Sequence, residues 1–100
     1  MPIIQTETFA KWESRLNDKK ARAIIAAKIF RLANELPVDI VSLGDGVDEL
    51  RVHYGPGYRI YFQRTGREGI LLLCGGNKTS QRRDIVRAKQ LVAEVLREGE

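Results

Sequence analysis

Apolar side chains fall at every second position on both sides of Gly55-Pro56-Gly57, at Leu50 and Val52 and again at Ile60 and Phe62. A period of two is the signature of a strand with one buried face, and Gly-Pro-Gly is turn chemistry. Both strands must turn the same face inward, because a slip of one residue would carry half of the apolar set into water. Residues of equal parity therefore stand opposite each other, which requires an odd number of residues in the connection. Residues 55–57 supply it and predict His53 opposite Arg59, Arg51 opposite Tyr61 and Glu49 opposite Gln63. Directly opposed side chains lie roughly 4.5–5.5 Å apart at Cβ, close enough to act on one small group. The odd positions thus gather Glu49, Arg51, His53, Arg59 and Tyr61 on the second face of the hairpin, which is expected to be open to solvent.

The rest of the chain supplies what buries the apolar face. A short strand over 2–6 precedes a helix capped by Thr8, with Phe9, Trp12 and Leu16 at helical spacing; that register makes Trp12 a core residue. Asp18 opens a second helix whose apolar side runs from Ala21 through Ile25 and Leu32 to Leu36, with Pro37 as its stop. Helices joined this tightly predict an antiparallel helical hairpin. Four strands are expected at 39–44, 48–54, 58–64 and 69–75, separated by Asp45-Gly46, Gly55-Pro56-Gly57 and the turn from Thr65 through Gly66 and Arg67 to Glu68. Connections this short make antiparallel neighbours. "ILLLC" does not alternate, so that strand is expected to be covered on both faces. A final helix over 80–97 presents Ile85, Ala88, Val92, Val95 and Leu96 to the sheet. The order β-α-α-β-β-β-β-α describes one α+β domain spanning 1–100, with the helical hairpin and the C-terminal helix packed on a mostly antiparallel sheet.

Composition narrows the functional classes. No stretch approaches the roughly 18 unbroken apolar residues of a membrane span, and the first residues lack a signal-peptide pattern, so a cytoplasmic protein is expected, with no membrane partner. A single cysteine, Cys74, excludes an internal disulfide and a cysteine-based zinc site; its apolar setting predicts a buried small hydrophobe. The net charge of +4 suits a polyanionic partner. Without a carboxylate cluster or a repeated histidine there is no metal-ligand set, and no cofactor is expected.

Metal-free RNA cleavage fits what remains, since the RNA's own 2′-hydroxyl attacks the adjacent phosphate. Glu49 or His53 suits the proton transfers, and Arg51, Arg59 and Lys78 suit the phosphorane charge. Tyr54, Tyr58 and Tyr61 are candidates for stacking on bases. Arg82 and Arg83 open the last helix, whose first amides, with Lys78, attract phosphate. "CGGNKTS" is not a Walker A loop, because Asn77 stands where that motif needs glycine.

The stretches "GDGVDELRVHYGPGYRIYF" (44–62) and "LLLCGGNKTSQRRDI" (71–85), with "FAKW" ahead of a basic helical hairpin, resemble the RelE/ParE toxin superfamily, and within it the HigB-like addiction module killer branch. The likeness spans nearly the whole chain and includes the element order. It implies the toxin of a type II toxin–antitoxin system, a ribosome-dependent endoribonuclease that cuts mRNA. Its partners would be the ribosome, mRNA and a cognate antitoxin of helix-turn-helix type. Carried over, the family's functional positions fall on Arg51 and His53, on Arg59 and on Lys78. The C-terminal helix lacks the tyrosine that some members use, leaving His53 or Glu49, or phosphate stabilisation and the ribosome, to carry the proton chemistry. Two other readings fit the same fold: a ParE-like inhibitor of DNA gyrase and a non-catalytic module that binds an antitoxin.

Overall fold

The alternating hairpin forms the middle of a five-stranded sheet. The computed structural model describes residues 1–66 and 69–98, so Arg67 and Glu68 of the expected turn lie outside the described residues. The elements are β1 (Ile3–Gln5), α1 (Glu7–Ser14), α2 (Lys19–Ala33), β2 (Ile40–Gly44), β3 (Val47–Val52), β4 (Tyr58–Thr65), β5 (Gly69–Asn77) and α3 (Gln81–Glu98). The sheet order is β1-β5-β4-β3-β2, with β1 parallel to β5 and every other pair antiparallel. The protein is therefore α+β on a mixed sheet. No helix among the described residues is long and apolar enough to cross a membrane.

Two apolar clusters sandwich the sheet. On one face Leu50, Val52, Ile60 and Phe62 pack with Phe9 of α1 and with Ile25 and Leu32 of α2. On the other, Val47, Tyr61 and Leu73 pack under Ala88, Leu91 and Val92 of α3. The second cluster corrects the expectation of an open odd face: α3 returns across it. The stripe of α3 also differs from its expected membership, since Leu91 is buried and Leu96 is exposed.

Strand β5 is covered on both faces, as its unbroken apolar run implies. A bulge explains the run. Tyr61 pairs with Cys74 but Phe62 pairs with Leu72, leaving Leu73 as the extra residue, so Leu73 and Cys74 both enter the α3-side cluster. The bulge also decides the first cap. The Thr6 hydroxyl donates to the Leu73 carbonyl at 2.6 Å and accepts from the Phe9 amide at 3.0 Å, making Thr6 rather than Thr8 the cap of α1. Asp18 caps α2 as expected, accepting from the Ala21 amide at 3.1 Å.

Helix α2 stops before Pro37 is reached. Glu35 takes φ 58°, its amide donates to the Leu32 carbonyl, and the Leu36 amide donates to the Arg31 carbonyl. That is a Schellman ending, and it turns Leu36 out of the apolar side and into solvent. Helices α1 and α2 share one core cluster by packing on the sheet, α1 mainly on β5 and α2 on β3, rather than mainly on each other as a helical hairpin.

Gly75 and Gly76 are required by close approach. A Cβ on Gly75 would lie 2.3 Å from the Trp12 ring, and one on Gly76 would lie 1.8 Å from Asp84 Oδ2. Trp12 packs between Phe9 and Tyr58, with ring centroids at 5.7 and 6.2 Å, so a methyl group here must displace a packed indole. Gly75→Ala should therefore lower stability by about 1–3 kcal/mol, read as a reduced denaturant midpoint at unchanged slope.

Candidate functional site

The odd face of the hairpin changes character along its length. Beneath α3 it is apolar at Val47; one step on stand Glu49 and Tyr61; the next pair, Arg51 and Arg59, reaches the Gly-Pro-Gly end of the sheet. This pairing corrects the expected register by two residues. Glu49 faces Tyr61 and Arg51 faces Arg59, because the connection runs from His53 to Gly57, and not only over 55–57. Five is odd as three is, so the parity argument holds while each expected partner moves. The extra turn comes from local hydrogen bonds: the Tyr54 amide donates to the Val52 carbonyl and the Gly57 amide to the Tyr54 carbonyl.

Opposing arginines repel each other across a strand pair unless something compensates. Glu49 compensates. Its carboxylate is wholly buried and accepts from Arg51 Nε at 2.8 Å on one oxygen. The other oxygen accepts from Gln81 Nε2 of α3 at 2.9 Å and lies 3.6 Å from Arg59 Nε. Burial alone would raise the Glu49 pKa, but the hydrogen bonds from Arg51 and Gln81 outweigh it and hold the group below the usual carboxylate value. The same bond makes Arg51 still harder to deprotonate. Glu49 is thus sealed away from any substrate, and its place as a proton-transfer candidate is corrected to that of a brace for two guanidinium groups.

Tyr61 is corrected in the same way. It is fully buried under α3, so it cannot stack on a base. Burial, and then the neighbouring Glu49 carboxylate, push its ionisation far above that of an ordinary tyrosine. Tyr58 is half-buried with its ring against Trp12. Tyr54 is half-buried, donates to Asp18 Oδ2 at 3.3 Å and carries the Lys20 ammonium 5.7 Å from its ring centre. Cys74 is a buried thiol, its pKa pushed up to about 12 by burial and by Asp84.

At the open end, Arg51, His53, Tyr54, Tyr58, Arg59 and Lys78 surround a cleft of about 550 Å³ over the Gly-Pro-Gly turn. Arg59 Nη1 donates to the Gly57 carbonyl at 2.9 Å, and the Lys78 amide meets the Pro56 carbonyl, so both are tied to that turn. Lys78 has no acidic partner among the described residues. His53 stands outside the strand ladder, exposed, with Nε2 hydrogen-bonded to Asp39 Oδ2. Sequence reasoning missed Asp39 and Gln81. Asp39 reaches His53 because a bulge between Ser42 and Gly44 sets the β2 register, so the Arg51 amide donates to the Asp39 carbonyl. No short-range pattern announces that bulge.

Arg82 and Arg83 are exposed on the first turn of α3 and do not line this cleft. The loop ahead of that helix, expected to attract phosphate, is furnished with its own acceptors. Asn77 Oδ1 accepts from the amides of Thr79 and Ser80, and the Ser80 hydroxyl donates to Asp84.

The brace has a pH signature. Glu49 holds its proton less tightly in the folded chain than in the unfolded one, so acid favours unfolding. The stabilisation is complete above about pH 4.5, the ordinary carboxylate value, and is lost as pH falls through the lower folded value. Glu49→Ala, which leaves two guanidinium groups without their counter-charge, should cost about 3–5 kcal/mol at neutral pH. Glu49→Gln should flatten the acid limb of stability, measured by chemical denaturation between pH 3 and 7.

No family model matches the chain. It is 43% identical over 93 residues to an uncharacterized protein of Haemophilus influenzae, an alignment that covers 93% of this chain and 94% of its relative. The chain belongs to the same family as that Haemophilus influenzae protein.

Proposed function

We propose that the chain is the toxin of a type II toxin–antitoxin pair and a ribosome-dependent mRNA endoribonuclease. The observation that supports the reading most is the cleft at the Gly-Pro-Gly turn, where an imidazole hydrogen-bonded to Asp39 shares one space with Arg51, Arg59 and Lys78. A surface that only bound a partner would need the charges but not an oriented imidazole.

In this reading the 2′-hydroxyl of one nucleotide attacks the adjacent phosphorus while His53 takes its proton. The P–O bond to the next nucleotide's 5′-oxygen breaks, and that oxygen receives a proton from the imidazolium or from water. A 2′,3′-cyclic phosphate and a 5′-hydroxyl result. Charge builds up on the phosphorane, and donors held in place beforehand stabilise it more than mobile ones do. Glu49 holds Arg51 and Arg59 in place; Lys78 adds a third cation. Tyr54 and Tyr58 rim the cleft where a base could stack, whereas the superfamily likeness in "ELRVHYGPGYRIYF" supports the ribosome as the setting. An antitoxin would silence the protein by covering this cleft or α3.

The test is cleavage of mRNA in a translating extract. Wild-type chain should cut within codons during translation and leave free transcripts intact. His53→Ala should lower the rate by about 10²–10⁴-fold. Because His53 is exposed, stability should move by no more than about 0.5 kcal/mol. Transcripts that survive translation intact, together with lost supercoiling by purified gyrase, would favour the gyrase reading instead.

A further inference from the structure

A second groove lies on the other side of the Asn77–Lys78 turn. It is lined at its base by Gly75 and Gly76 with the Trp12 ring and Asp84 that pack over them, and its volume is about 470 Å³. One wall is α1 and its C-cap, with Lys11 and Arg15 at i, i+4; the other is α3, with Arg83 and Arg87 at i, i+4. Residues at that spacing lie on one helix face, so each helix contributes a pair of cations to the groove. Asp84 is the only carboxylate among the groove's described residues, and it is engaged by the Ser80 hydroxyl.

The charges are available. Lys11 pairs with Glu7, Arg87 with Glu94 and Arg83 with Asp84 at 3.0, 3.4 and 4.0 Å, and in each pair the cation keeps substantial exposure to solvent. Such pairs contribute little and exchange readily for a better anion. Four cations line the groove against one lining carboxylate, and Arg15 has no acidic partner among the described residues.

We infer that this groove is a second seat for the phosphate backbone of a single-stranded RNA, continuous with the cleft that holds His53. Asn77 lines the groove and Lys78, the next residue, lines the cleft, and Trp12 of the groove stands against Tyr58 of the cleft, so the two are immediate neighbours. That continuity favours RNA over an acidic protein segment. The inference rests on the proposed function for the identity of the strand and not for the charge that holds it.

The test measures binding without chemistry. A 2′-O-methylated single-stranded oligonucleotide of about 12 nucleotides cannot be cleaved, and its affinity is followed by fluorescence anisotropy as salt is raised. For a single strand, each phosphate that is no longer neutralised should lower the salt slope by about 0.7, so the triple variant Arg15→Gln, Arg83→Gln, Arg87→Gln should lower it by about 2. Its affinity at low salt should fall at least tenfold. A control triple on exposed cations elsewhere, Lys19→Gln, Arg22→Gln, Arg97→Gln, should change the slope much less. Equal reductions in the two triples, or an unchanged slope in the groove triple with native circular dichroism, would overturn the inference. So would an oligoglutamate peptide that binds through the groove where the RNA does not. Because no bond is broken in this assay, a cleft without nuclease activity leaves the result readable, and a nuclease with an unchanged slope disproves the groove alone.

Discussion

A carboxylate without solvent contact organises the functional end of this sheet. Glu49 accepts hydrogen bonds from Arg51 on its own strand and Gln81 on the helix above, and forms an ion pair at 3.6 Å with Arg59 on the neighbouring strand. Arg51 and Arg59 stand directly opposite each other, an arrangement that would be unfavourable without a shared counter-charge. A buried ion is costly unless its partners are complete, so helix, strand and hairpin are obliged to stay in one register. The brace therefore links the packing of α3 to the placing of two cations at the mouth of the cleft.

That linkage is why the fold is more than a scaffold here. The apolar part of the second face, Val47 with Ala88, Leu91 and Val92, fixes α3 on the sheet. Gln81 at the start of α3 then reaches Glu49, and Gly76 is bare because Asp84 of the same helix passes over it. From there the chain of constraints runs outward to Arg59 and the Gly-Pro-Gly turn, where protein gives way to solvent. Function in the proposed sense needs both halves: cations whose positions are fixed from within, and an imidazole free enough to move a proton.

Much of this was legible in the sequence, and the failures have physical causes. The alternation around residues 55–57 revealed the hairpin and its parity, since burial of one face leaves no other choice. It did not reveal the register, because a loop of three and a loop of five satisfy the same rule. Burial of Glu49 was hidden for a similar reason. A glutamate between arginines reads as an exposed ion pair until a helix from the far end of the chain is known to cover it. Thr6, Leu73 and Asp39 depend on two bulges, and a bulge is decided by packing between distant strands, not by the residues beside it. Cys74, Trp12 and the Asp18 cap were read correctly because each follows from local chemistry alone.

The central claim is that Glu49 presents Arg51 and Arg59 to a phosphate as one prearranged pair. It is tested most directly by titrating inorganic phosphate while following the arginine Nε–Hε resonances by NMR. The account predicts that the Arg51 and Arg59 signals shift together and saturate, and that Glu49→Gln abolishes the joint response. An equal, unsaturated drift at Arg51, Arg59 and the exposed Arg22 would contradict it.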